Sequence, residues 1–493
     1  MKNKIFLRSS CATLVLTPLL ACSPEFDQPV ENNNFHSGTA DFSNFVAVGD
    51  SLTAGYADSA LYLEGQKNSY PSILATQFSK VGGGDFIQPL MSDNLGGLLF
   101  QGSPLPGFLN RLVFNADTKS AEPIDGSPAT DISSTLTGAY NNMGVPGAKS
   151  FHLTANTYGN PAGLNSDPAT ANPYFVRFAS SSGTTIIADA VAQQPSFFAL
   201  WIGNNDVLSY ATGGGIGIDR LGNFDPAAYD DNDITDPTVF ANVYSDLLNA
   251  LRASGGHGVL INIPDISSIP FFTTVPFNPI PMDQESADLA NNAYDQTYNA
   301  GLQTILDAGG ISDEELQKRT IHFSAGQNAA VIEDEYLTDL SASGLPSYRQ
   351  ATANDRLLLT ISSKIGKPVG DGIWGISAAL EDADVLVSQE IDLINTARLA
   401  YNASIKNLAD GNEKIIHIDS AILLKEMKTG INYGTGLITT SYATGDGFSL
   451  DGVHLTARGY AVLSNEIIDV INTKFAANIQ HVNPGAYPSI SFK

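Results

Sequence analysis

Cysteine is almost missing from this chain of 493 residues. There are two, Cys11 and Cys22. Both fall in the first two dozen positions, so a processed chain has no disulfide to make. Positive charge is scarce too: 25 Lys and Arg stand against 51 Asp and Glu, a formal net charge of −26. Such a balance repels nucleic acid and anionic lipid headgroups and leaves neutral or cationic partners. Long apolar runs are lacking as well. Beyond the N-terminus no stretch reaches ~18 uninterrupted apolar residues, so no later segment should cross a membrane. Histidines are few, and His257, His322 and His417 each stand alone, which reads as structural or surface use. No convincing metal cluster and no cofactor motif is visible. A hydrophobic content of 43% nevertheless supports a large core.

The first residues carry Lys2, Lys4 and Arg8, followed by the apolar run Cys11–Leu20, too short to span a bilayer. The run ends Leu19-Leu20-Ala21-Cys22. This resembles a bacterial lipoprotein signal, which implies a signal peptide over 1–21 and lipidation of Cys22. The alternative is a plain secretory signal cut nearby. Residues 22–40 are polar, with Pro24, Pro29 and Asn32-Asn33-Asn34, and read as a flexible tether. Ser23 after Cys22 does not look like an inner-membrane retention signal. The expected location is therefore the outer membrane of a Gram-negative cell envelope.

Phe45–Tyr56 reads as an apolar strand, a turn at Gly49, and a helix beginning near Ser51. The first helical turn leaves backbone N–H groups without intrahelical acceptors and favours negative charge. Ser51 is therefore either an ordinary N-cap or a nucleophile with oxyanion donors at hand. Tyr70–Phe78 is expected to be helical, and residues 82–136 form an irregular, Gly- and Pro-rich insertion. Ala139–Ala148 is a short apolar stretch entering a glycine-rich turn, where the Gly144 N–H either approaches a ligand closely or belongs to an ordinary turn. Ser196–Ile202 is a buried strand ending in Gly203-Asn204-Asn205-Asp206, where Asn205 either donates to an oxyanion or makes an Asx turn.

Further along, Val239–Ala253 has a helical apolar face, and Gly258–Ile263 reads as another buried strand. The segment 269–282, with Phe271, Phe272 and Phe277, lines an acyl pocket or lies buried under a lid. One helix is expected over residues 286–308. Ile415–Ile418 is assigned to the sheet in preference to the similar Ile321-His322-Phe323, leaving about 310–385, within a larger insertion over 270–385, outside the core. Ala457–Phe475 forms the last helix. His454 precedes it, and Asp451, three residues earlier, can turn back to accept from its Nδ1–H.

Taken jointly and in this order, the Ser51, Gly144, Asn205 and Asp451-x-x-His454 stretches resemble the SGNH (GDSL) hydrolase family over about residues 42–475. The resemblance implies a three-layer α/β/α sandwich with a mostly parallel, flavodoxin-like sheet, one domain over 41–480. It implies Ser51 as nucleophile, His454 as base and Asp451 as its orienting carboxylate. The oxyanion donors would be the N–H groups of Ser51 and Gly144 and the side chain of Asn205. The expected activity is ester hydrolysis through an acyl-serine intermediate, with no metal. The substrate is a lipid or aryl ester or, alternatively, an acetylated glycan. An inactive surface-anchored binding lipoprotein is the reading from a different class.

Overall fold

Phe45–Gly49 (β1) is apolar up to its glycine and buried along its whole length, as a strand covered on both faces must be. It pairs in parallel with Asn142–Gly144 (β2) on one side and Phe197–Trp201 (β3) on the other. His257–Ile261 (β4) and Ile415–Ile418 (β5) continue the ladder, also in parallel. The sheet order is β5-β4-β3-β1-β2. This computed structural model describes residues 34–434 and 436–493. The expected signal peptide and both cysteines lie outside the described residues.

Ser51–Ala54 (α1) is a single turn after β1. Tyr70–Phe78 (α2), Asn205–Thr212 (α3), Pro237–Arg252 (α4), Ser388–Asp410 (α7) and Ala457–Phe475 (α8) are the helices that cover or edge the sheet. Strand alternation assigns them to faces. Phe197 and Trp201 of β3 point to the α2–α8 face, where Phe78 packs 5.6 Å from Phe197 and Tyr70 5.7 Å from Trp201. Phe198 and Leu200 point the other way, towards α4 and α7, whose Phe240 and Tyr401 rings stack at 4.2 Å. Each such side chain, fully buried, contributes roughly 1.5–3 kcal/mol. The fold is therefore the expected three-layer α/β/α arrangement, with helix α8 and strand β5 matching their predicted limits.

Three sequence expectations are changed. Residues 36–40 are not free tether: His36 bridges Asn478, Thr39 donates its N–H to the Phe475 carbonyl at 2.9 Å, and Ala40 is buried. The helix expected over 286–308 is broken into Gln284–Gln296 (α5) and Tyr298–Asp307 (α6) by Thr297, whose φ of −126° and ψ of −87° leave the helical region. Its hydroxyl bonds back to the Ala293 carbonyl at 2.6 Å, a local competitor of the helical ladder.

The inserted segment over 270–385 is also more than a loop. It has two apolar centres of its own, one around Ile280, Ile332, Leu357 and Leu380, the other around Tyr298, Leu302, Ile321 and Phe323. Short antiparallel ladders frame them. Buried Arg349 grips Asp355 through two hydrogen bonds of 2.7 and 2.9 Å. Among the described residues no helix is long and apolar enough to cross a membrane.

Candidate active site

In a parallel sheet of this order the crossovers change direction between β1 and β3, and a crevice opens beyond the carboxyl ends of those strands. Ser51 follows β1, Gly144 closes β2 and Asn205 opens α3 after β3. All three expected sheet-edge positions therefore meet at that crevice. Two glycines make the approach possible. A Cβ on Gly49 would lie 2.1 Å from the Trp201 carbonyl oxygen, and one on Gly144 would lie 2.3 Å from the Ala54 nitrogen.

Asp50, not Ser51, caps α1. Its Oδ1 accepts the Leu52 N–H at 3.0 Å, and its Oδ2 accepts from Asn204 Nδ2 at 2.9 Å. The cap thus ties the turn after β1 to the turn after β3. Asp50 is wholly buried, and burial pushes its carboxyl up to about 6 despite those two donors. With the cap assigned to Asp50, the Ser51 side chain is left for other work.

That side chain points to the C-terminal loop. Ser51 Oγ lies 2.8 Å from His454 Nε2, and His454 Nδ1 lies 2.9 Å from Asp451 Oδ2. Asp451 Oδ1 accepts the N–H groups of Val453 and His454, both at 2.8 Å, and Oδ2 also accepts the Ser59 N–H at 3.0 Å. Burial raises the Asp451 carboxyl, but the His454 imidazole and these donors outweigh it and hold the group at about 2. Asp451 is therefore an anion across the physiological range. The Tyr56 ring sits 4.7 Å from the imidazole.

The loop itself is fastened at several points. Asp58 Oδ1 accepts the Leu450 N–H at 3.0 Å, its own N–H donates to Ser449 Oγ at 2.9 Å, and Tyr62 donates to its Oδ2 at 3.1 Å. Phe271 donates its N–H to the Gly452 carbonyl at 2.9 Å. These contacts were not legible in the sequence. They are presented by the Ala57–Ala60 turn, which holds Asp58 and Ser59 at φ of 54° and 62°.

The expected oxyanion donors are present but partly engaged. The Gly144 N–H donates to Asn142 Oδ1 at 3.0 Å, so an incoming oxyanion would have to share it. Asn205 Nδ2 gives one hydrogen to the Ala148 carbonyl at 2.9 Å and keeps a second. Ser51 N–H begins a one-turn helix and has no intrahelical acceptor.

Two cavities meet at Ser51 and His454. One is an open cleft of about 1360 Å³ that also takes in Tyr56, Phe151, Tyr174, Asn205, Tyr229 and Asp231. The other is a narrow apolar pocket of about 60 Å³, walled by Trp201, Ile266, Ile269, Leu424, Met427 and Leu455. Of the Phe/Pro segment only Ile269 reaches this pocket. Phe271 and Phe272 are buried in the main core and Phe277 packs against a second one, so the aromatics form no acyl lining.

A parallel α/β/α sheet with hydroxyl, imidazole and carboxylate in series at its carboxyl edge defines a class of hydrolase folds. The sequence model of the GDSL-like Lipase/Acylhydrolase family matches residues 45–323, more than half of the chain, and the protein belongs to that family. The match takes in Ser51, Gly144 and Asn205, while Asp451 and His454 lie beyond it. Comparison with curated proteins and with solved structures returned no match.

Proposed function

We propose that the protein is a serine-type carboxylic ester hydrolase with Ser51 as nucleophile, His454 as general base and Asp451 as the residue that orients it. The observation that carries the reading is the unbroken series of 2.8 and 2.9 Å contacts from Ser51 Oγ through the imidazole to Asp451. A serine hydroxyl is a weak nucleophile until a base takes its proton. His454 Nε2 is within reach to do so, which typically contributes about 10²–10⁴-fold. Asp451 accepts from Nδ1–H, so Nε2 is left free as the acceptor, and it stabilises the imidazolium that forms.

Attack on the ester carbonyl turns its oxygen into an oxyanion. The Ser51 N–H, the second hydrogen of Asn205 Nδ2 and a shared Gly144 N–H are the donors offered, each worth roughly 3–4 kcal/mol. The imidazolium then returns its proton to the leaving alcohol, and an acyl-Ser51 ester remains. Water, activated by the same imidazole, attacks that ester and releases the acid.

The two cavities favour a division of the substrate. The narrow apolar pocket suits a short acyl group, and the open cleft suits a bulky alcohol part. Aromatic rings and acidic side chains along the cleft also favour the alternative alcohol, a sugar carrying an O-acetyl group. Ser51→Ala should abolish turnover of a short-chain p-nitrophenyl ester while leaving the circular-dichroism spectrum unchanged; retained turnover would exclude the reading. An inactive binding protein is disfavoured because hydroxyl, base and carboxylate are all in hydrogen-bond contact.

We also propose lipid attachment at Cys22 and an outer-membrane location, on the Leu19-Leu20-Ala21-Cys22 motif. Incorporation of radiolabelled palmitate that disappears in Cys22→Ser is the expected result. Equal labelling of both proteins would refute it.

A further inference from the structure

We propose that Glu335, Asp382 and Glu390 form a calcium site that joins the inserted segment to helix α7 beside the sheet. One carboxylate oxygen from each lies within 4.8 Å of the others. Two oxygens bound to one Ca²⁺ at ~2.4 Å stand no more than ~4.8 Å apart, so the spacing fits a single ion. Mg²⁺ usually keeps several waters and is held by one or two carboxylates, so a group of three protein carboxylates favours Ca²⁺. No nitrogen or sulfur ligand is present in the group, which matches a hard, oxygen-seeking cation.

The second observation concerns Glu390. This residue is 0% exposed, and its Oε2 accepts the Val387 N–H at 2.8 Å. Its Oε1 is buried and meets no hydrogen-bond donor. An orphaned carboxylate oxygen in the interior is costly unless a cation or a shared proton compensates it. The Gly215 backbone lies directly against this oxygen, since a Cβ there would fall 1.7 Å from Glu390 Oε1, and only glycine admits the carboxylate at that position.

The charge is also unanswered. Among the described residues no lysine or arginine forms an ion pair with any of the three. Lys318 and Arg349 are engaged by Asp334, Arg349 also by Asp355, and Lys364 by Asp384.

The site sits where three chain segments meet, beside the apolar centre that Ile332, Leu380, Val385 and Val387 share. Glu335 follows the ladder strand Val331–Glu333, Asp382 lies in the turn Asp382–Asp384, and Glu390 is in the first turn of α7. A Cβ on Gly214, just after α3, would lie 2.6 Å from the Asp382 carbonyl oxygen, so the turn ending α3 packs directly on this group. Glu335 is exposed and Asp382 half-buried, leaving one side for water to complete the coordination.

The experiment uses the full chain, freed of metal with a chelating resin, at pH 7.5. Calorimetric titration with CaCl₂ should give one site per chain. At a hundredfold excess over Kd the melting temperature should rise by about 3 °C. Glu335→Gln, at an exposed position that should not disturb folding, and Glu390→Gln should each lose both the binding heat and the shift. MgCl₂ at equal concentration should give a smaller shift. Absence of binding heat up to 10-millimolar calcium (roughly the weak end for protein calcium sites) would overturn the proposal. So would a calcium shift retained in both variants, or a magnesium shift as large as that of calcium.

Discussion

Ser59 donates its backbone N–H to Asp451 Oδ2 at 3.0 Å, across 392 positions of sequence. The carboxylate that orients the candidate base is thus held from two sides. Its own loop supplies two N–H groups, and a tight turn close behind Ser51 supplies the third. Neighbouring Asp58 completes the link by binding Leu450 and Ser449.

Asp58 is accordingly expected to act as a positioning residue. Asp58→Asn should lower kcat about 10–100-fold, since small displacements of aligned groups are costly, with little change in KM. Steady-state kinetics on a p-nitrophenyl ester checks the split. A purely structural role would instead change stability and leave kcat of the folded fraction intact.

The same side chain carries a pH signature. Burial pushes Asp58 up to about 6, so the folded state binds its proton more tightly than the unfolded state does. Its contribution to stability is full below pH ~4 and is lost as pH rises through about 6. Asp58→Asn should therefore gain on the wild type by ~3 kcal/mol between pH ~4 and pH ~7. Urea melts at the two pH values measure it.

Asp451 has the opposite sign. Its carboxyl is held at about 2, so its contribution is full above pH ~4 and is lost as pH falls through about 2. Asp451→Asn should forfeit about 2–3 kcal/mol at neutral pH, with no further loss from this position on acidification. Activity should fall by up to ~10⁴-fold, because an amide can hold the imidazole in the wrong tautomer. Parallel melts and kinetics test both parts.

Gly144 has a steric duty besides any donor role. With its missing Cβ position 2.3 Å from the Ala54 nitrogen, Gly144→Ala must push β2 from α1. A loss of about 3 kcal/mol is expected, at the upper end for overpacking, with turnover falling as Ser51 moves. A shift in the denaturation midpoint reports the first effect.

The narrow pocket of about 60 Å³ should limit the acyl chain. Turnover should be best with short acyl groups and fall as the chain lengthens. Met427→Ala should move the optimum to longer chains. A graded series of p-nitrophenyl esters from acetate to decanoate provides the comparison.

The sheet was legible because β1, β3, β4 and β5 are short apolar runs between glycine and polar turns, a pattern that buried parallel strands impose. The Asp451-x-x-His454 spacing was legible because both residues sit on one loop. Contacts between distant loops were not. Nothing near Asp58 or Ser59 points to residue 451, and Glu335, Asp382 and Glu390 share no spacing typical of a metal motif. The break at Thr297 was hidden because apolar spacing continues through it. The aromatic residues at 271, 272 and 277 were ambiguous because lining and core positions use the same side chains.

Activation of the Ser51 hydroxyl by His454 is open to a covalent test with a fluorophosphonate probe and peptide mass spectrometry. One adduct is expected, on Ser51, slowed by orders of magnitude in His454→Ala and absent in Ser51→Ala. Labelling at a different serine, or equal labelling of Ser51 without the imidazole, would contradict it.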